Sequence, residues 1–137
     1  MARPKFPHFT LEEAEVLEKF QEAGILSGKW SYDVRLESKK VPAMEGEPEY
    51  IKKMWKAVTA KRIDAVCEDE NFIHIIEVKR YMQASGIGQL LLYSHMYAVQ
   101  FRPFKRIKLW LIAYYPDVDV IEFCKQLGIK TWTVVKW

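Results

Sequence analysis

The sequence predicts an α/β domain: a mixed central sheet of about four to five strands with helices on both faces. Three observations carry this. Apolar residues recur at helical spacing in LEEAEVLEKFQEA, GIGQLLLYSHMYAVQF and DVDVIEFCKQL. Runs rich in β-branched and aromatic residues, among them NFIHIIEVKR and KRIKLWLIAYY, lie between turn signals. The second of these runs is apolar on both faces, as a strand covered on both sides must be.

Each element has a local reason. Pro4 and Pro7 make an extended lead-in. Thr10 and Glu13 have capping-box spacing, so a helix follows over 11–23, with Leu11, Ala14, Leu17 and Glu18 on one face and Gly24 as the stop. Residues 29–38 read as a strand, and KKVPAMEGEPEY as a loop. A short helix over 49–58 would turn Ile51, Met54, Trp55 and Val58 inward. Residues 60–69 and 71–80 form two strands joined by an acidic turn near Glu68 to Asn71. Ser85 caps a helix over 86–101; a strand over 105–115, a helix ending at Gly128 and a last strand over 129–137 complete the order. Trp30, Trp55, Trp110 and Trp132 suit core positions.

With 137 residues, half of them hydrophobic, the chain suits one domain over 1–137 with one real core. Charged residues make up 28% without a long single-sign block, which argues against a disordered tail. The net charge of +3 does not by itself indicate nucleic acid. Cys67 and Cys124 form no CxxC pair, and two cysteines cannot supply a four-cysteine cluster. MARPKFPHF lacks the apolar core of a signal peptide, and LWLIAYY is far too short to span a bilayer. The expectation is a soluble, cytoplasmic or otherwise intracellular protein with reduced thiols.

The chemistry concentrates in HIIEVKRY. Side chains alternate along a strand, so Glu77 and Lys79 share a face. If Glu70 and Asn71 are the turn residues, Asp64 lies opposite Glu77 on that same face. A four-residue turn keeps this parity; a three-residue turn or a bulge breaks it. Two carboxylates about 5 Å apart repel by roughly 3 kcal/mol at an effective dielectric of 20. Lys79 offsets part of this, in which case the group is a cross-strand ion pair. A divalent cation offsets more, and hard oxygen ligands suit magnesium or manganese. Gln89 and Tyr93 follow at i and i+4 on one helical face.

Taken together, ID (64), EVK (77–79) and QLLLY (89–93) resemble the PD-(D/E)XK nuclease superfamily, specifically its RecB-like branch with the QxxxY motif. The inferred element order is similar to that restriction-endonuclease-like core, over most of the chain. Ile63 stands where the motif name has proline. The resemblance implies a deoxyribonuclease that hydrolyses DNA phosphodiesters with magnesium or manganese. By the same resemblance, Asp64, Glu77 and the Val78 backbone carbonyl hold the metal, and Lys79 orients or deprotonates the attacking water. Gln89 and Tyr93 position Lys79, the water or the DNA backbone. First-helix glutamates often join such sites; counting back from Gly24 favours Glu13, which the capping box also claims.

For DNA contact, Arg62, Arg80, Tyr93, Lys53 and Lys56 are the candidates. His74 reads as a satisfied core histidine facing away from Glu77, and His8 sits in the lead-in. GIGQ lacks the third glycine of a dinucleotide loop, and no His–Ser or His–Cys partnership supports a nucleophilic hydrolase. Two rival readings stay open. One is a binding or interaction module that keeps a nuclease fold without turnover; the other is a Holliday-junction resolvase acting as a homodimer. A core without a helicase domain suits a stand-alone enzyme or a subunit of a larger nuclease/helicase assembly.

Overall fold

Strands joined by a tight turn pair antiparallel, whereas parallel neighbours need a crossover long enough for a helix. Both connections occur here. The computed structural model describes residues 9–38, 46–53 and 60–137. Its elements run α1 (Leu11–Glu22), β1 (Lys29–Leu36), β2 (Lys61–Glu68), β3 (Phe72–Tyr81), α2 (Ala84–Phe101), β4 (Arg106–Tyr115), α3 (Val118–Leu127) and β5 (Lys130–Thr133). One five-stranded sheet has the order β1-β2-β3-β4-β5. The first three strands are antiparallel neighbours; β3, β4 and β5 run parallel, with α2 and α3 as the crossovers.

Two apolar layers sandwich the sheet. On one face α1 buries Ala14, Val16, Leu17 and Phe20 against Ala65, Cys67, Ile76, Val78, Trp110 and Ile112. Phe20 is the centre, edge-on to Trp30, Trp110 and Trp132. On the other face Ile87 and Leu90 of α2, with Ile121 and Cys124 of α3, pack on Ile73, Ile75 and Leu111. Both cysteines are buried free thiols.

Three expectations about elements change. Leu11 is 65% exposed, because helical side chains lean toward the N-terminus and the first residue leans past the packed turn. Ser85 does not cap α2; the helix starts at Ala84 with Gln83 as an N-cap that makes no side-chain cap bond, and Ser85 Oγ donates to Gln83 Oε1 at 3.2 Å. β5 stops at Thr133, whose hydroxyl donates to the Val135 carbonyl at 2.7 Å and turns the chain out of strand geometry. Of the helix expected over 49–58, residues 49–53 are helical; Met54, Trp55, Lys56 and Val58 lie outside the described residues, as do Pro4, Pro7 and His8.

One distortion concerns the site. The β1–β2 register is unbroken from Lys29↔Glu68 to Leu36↔Lys61 except at the Asp33 and Asp64 position. Asp33 has φ 50°, in the left-handed region. Tyr32 and Ala65 pack on the α1 side of this point, yet Val34 and Ile63, two residues away, pack on the α2 side. The pair of strands therefore twists locally at Asp64, which regular alternation does not predict.

Candidate functional site

The β2–β3 turn decides the geometry. Pairing runs from Ala65↔Ile76 to Glu68↔Ile73. The Asp69 N–H donates to the Phe72 carbonyl at 3.0 Å, so Glu70 and Asn71 are the two turn residues. Glu-Asn is not a favoured pair for this turn. Asp69 compensates: its Oδ1 accepts from the N–H groups of Asn71 and Phe72 at 2.8 and 2.7 Å, and its Oδ2 pairs with His74 Nε2 at 2.8 Å. Trp110 Nε1 donates to His74 Nδ1 at 3.0 Å, so the ring proton sits on Nε2 and faces Asp69. His74 is thus a satisfied core histidine, and its hydrogen bond leads the causes that lower the Asp69 pKa to about 2.

Continuing that register places Asp64 opposite Glu77. The two carboxyl groups hydrogen-bond to each other, and Asp64 Oδ2 also accepts from the Val78 N–H at 2.8 Å. Glu77 is only 4% exposed. Burial, then the charge of Asp64, pushes Glu77 up to about 9. Burial also raises Asp64 to about 6, against the lowering effect of its Val78 and Glu77 hydrogen bonds. Near neutral pH, without a cation, the pair holds one shared proton. Lys79 shares the face, with Nζ 3.6 Å from Glu77 Oε2. That is the ion pair the spacing predicts, but one loose lysine does not neutralise two desolvated acids.

From α2, the Gln89 side chain lies beside the Tyr93 hydroxyl, and Tyr93 lies close enough to feel both acids. Burial, more than those charges, raises its phenol pKa. Gln89 Oε1 is buried without a hydrogen-bond partner, an orphaned acceptor beside this group. From α1, the negative charge of Glu13 reaches Asp64. Its carboxylate is engaged as the capping box predicts: Oε1 accepts from the Thr10 N–H at 3.0 Å, and Thr10 Oγ1 accepts from the Glu13 N–H at 3.1 Å.

The remaining candidates scatter. Arg80 pairs with Glu12 on α1 and lies 5.1 Å from the Tyr81 ring centroid. Arg62 opposes Arg35 across the β1–β2 ladder. Lys53 is exposed within the helical residues 49–53, and Lys56 is outside the described residues. Sequence reading passed over Tyr81 and Tyr115, paired across β3 and β4 with ring centroids 5.1 Å apart. Both are exposed at the carboxyl ends of parallel strands, where open α/β sheets bind ligands. Period-2 spacing from Glu77 through Lys79 to Tyr81 is the signal that could have found them.

Do these residues suit a divalent cation? No group of three or more His, Cys, Asp or Glu able to hold a metal occurs among the described residues. Magnesium, however, commonly uses one or two carboxylates and takes its other oxygens from water and phosphate. Two adjacent acids with upward-shifted pKa values and an orphaned amide oxygen fit that donor set. Compared with protein-family models, with curated proteins and with solved structures, the chain gave no match in any of the three.

Proposed function

We propose that the protein is a metal-dependent deoxyribonuclease of the PD-(D/E)XK type. The observation that carries the reading is the convergence of half-buried Asp64 and buried Glu77 on one spot, with Lys79 beside them and Gln89 and Tyr93 facing from α2. In this reading Asp64 and Glu77 give up their shared proton to hold magnesium or manganese, with the Val78 carbonyl as a further oxygen. A bound cation supplies a more acidic water and a clamp for the phosphate oxygens. Lys79 orients that water and offsets charge on the phosphoryl group in flight. The Gln89 amide oxygen accepts a hydrogen bond from Lys79 or the water, and Tyr93 sets the amide in place. Glu13 adds negative potential from the first helix. No helix among the described residues is long and apolar enough to cross a membrane.

The test is cleavage of single- and double-stranded DNA with magnesium or manganese by the wild type, Glu77→Ala and Lys79→Ala. The expected result is metal-dependent cutting that falls by about 100-fold or more in either variant. Absence of cutting, or equal cutting by all three, defeats the reading. If manganese produces no heat of binding in calorimetry either, the non-catalytic module takes its place.

A further inference from the structure

Helix α2 contains no Asp, Glu, Lys or Arg in its 18 residues, ASGIGQLLLYSHMYAVQF. One side buries Gly86, Ile87 and Leu90 against the sheet. The opposite side also lacks charge until the helix ends: Gly88, Leu91, Leu92, His95, Ala98 and Val99 are exposed, followed by Arg102 at the C-cap. Leu91 and Leu92 are 46% and 45% exposed, and Val99 is 61% exposed. These positions are three, four and seven residues apart and make one straight stripe. A row of exposed aliphatic side chains on an uncharged helix is the kind of stripe a helix normally turns toward a partner.

We propose that a second copy of this chain covers it, the two α2 helices packing antiparallel about a two-fold axis at His95. The stripe is symmetric about that residue. An antiparallel crossing there sets Leu91 of each copy on Val99 of the other, and Leu92 on Ala98, while Gly88 leaves room for Arg102. Each large side chain meets a smaller one, as interdigitating ridges require. An isologous contact needs a patch that suits itself, and an uncharged one avoids like-charge repulsion between identical chains. From Gly88 to Arg102 the stripe is about 21 Å long. Such a contact is smaller than the roughly 800 Å² per partner of a standard interface, so dissociation in the micromolar range is expected.

Sedimentation at protein concentrations up to about 200 µM tests it. The wild type should form a dimer, L91E and V99K should each sediment as monomers, and the L91E/V99K double variant should dimerise again. That rescue follows because residue 91 of one copy faces residue 99 of the other, whereas the two are too far apart to pair within one helix. Circular dichroism checks that each variant is folded, and misfolding cannot mimic the rescue. On the axis, H95C should form an intermolecular disulfide under mild oxidation without competition from the buried Cys67 and Cys124. A monomeric wild type, a dimer indifferent to L91E, or a double variant that stays monomeric overturns the proposal.

Discussion

Replacing Glu77 by Gln isolates the cost of the buried acid pair. The amide keeps the shape and can donate to Asp64, but it cannot ionise. In the metal-free wild type the folded-state pKa of Glu77 stands near 9, against an ordinary value of 4.5. An acid raised on folding stabilises fully below 4.5, and that contribution is lost as pH climbs toward 9. The reason is that the unfolded chain releases its proton first. At pH 7 the loss spans about 2.5 pH units, or roughly 3 kcal/mol at about 1.4 kcal/mol per unit. Repulsion of two carboxylates about 5 Å apart at an effective dielectric of 20 gives roughly the same figure. For a domain of this size that corresponds to a rise of roughly 10 °C in melting temperature for Glu77→Gln at pH 7 in EDTA. Saturating manganese should then stabilise the wild type by about 3 kcal/mol at 100 times Kd and leave the variant nearly unmoved. Thermal melts from pH 5 to 9, with EDTA or manganese, measure both. Parallel pH curves for the two proteins, or an equal cation shift in both, would refute the reasoning.

Two further predictions concern the frame around the site. Gly28→Ala places a Cβ 2.3 Å from the Glu68 carbonyl oxygen at the start of the β1–β2 ladder, and backbone cannot yield as a side chain can. A loss of about 2 kcal/mol or more in urea unfolding is expected, and an unchanged midpoint would contradict the packing described. Asp69 is lowered on folding to about 2, so the stability it lends is present above its ordinary 3.8 and fades as pH falls through 2. Asp69→Asn should flatten that acid limb; acid titration followed by tryptophan fluorescence reads it, and identical limbs would count against the Asp69–His74 turn lock.

Much of the fold was legible because its signals are local. The apolar run of β3, the capping box at Thr10 and the left-handed Gly128 after α3 each express a preference of a few neighbouring residues. The Asp64–Glu77 opposition was legible too, since strand parity and one turn length fix it. What escaped depended on partners distant in sequence. The Glu-Asn turn holds because Asp69 is anchored by His74, which Trp110 of β4 orients.

Sequence alone therefore determined which residues share a face: Glu77 with Lys79 along β3, Gln89 with Tyr93 along α2. A covalent chain with a fixed repeat leaves those relations no freedom. Tertiary structure alone decided that the two faces meet, that burial leaves two acids and one lysine in the same spot, and that the strands twist at Asp64. Desolvation and charge repulsion depend on what surrounds a group, and packing of elements far apart in the chain supplies those surroundings.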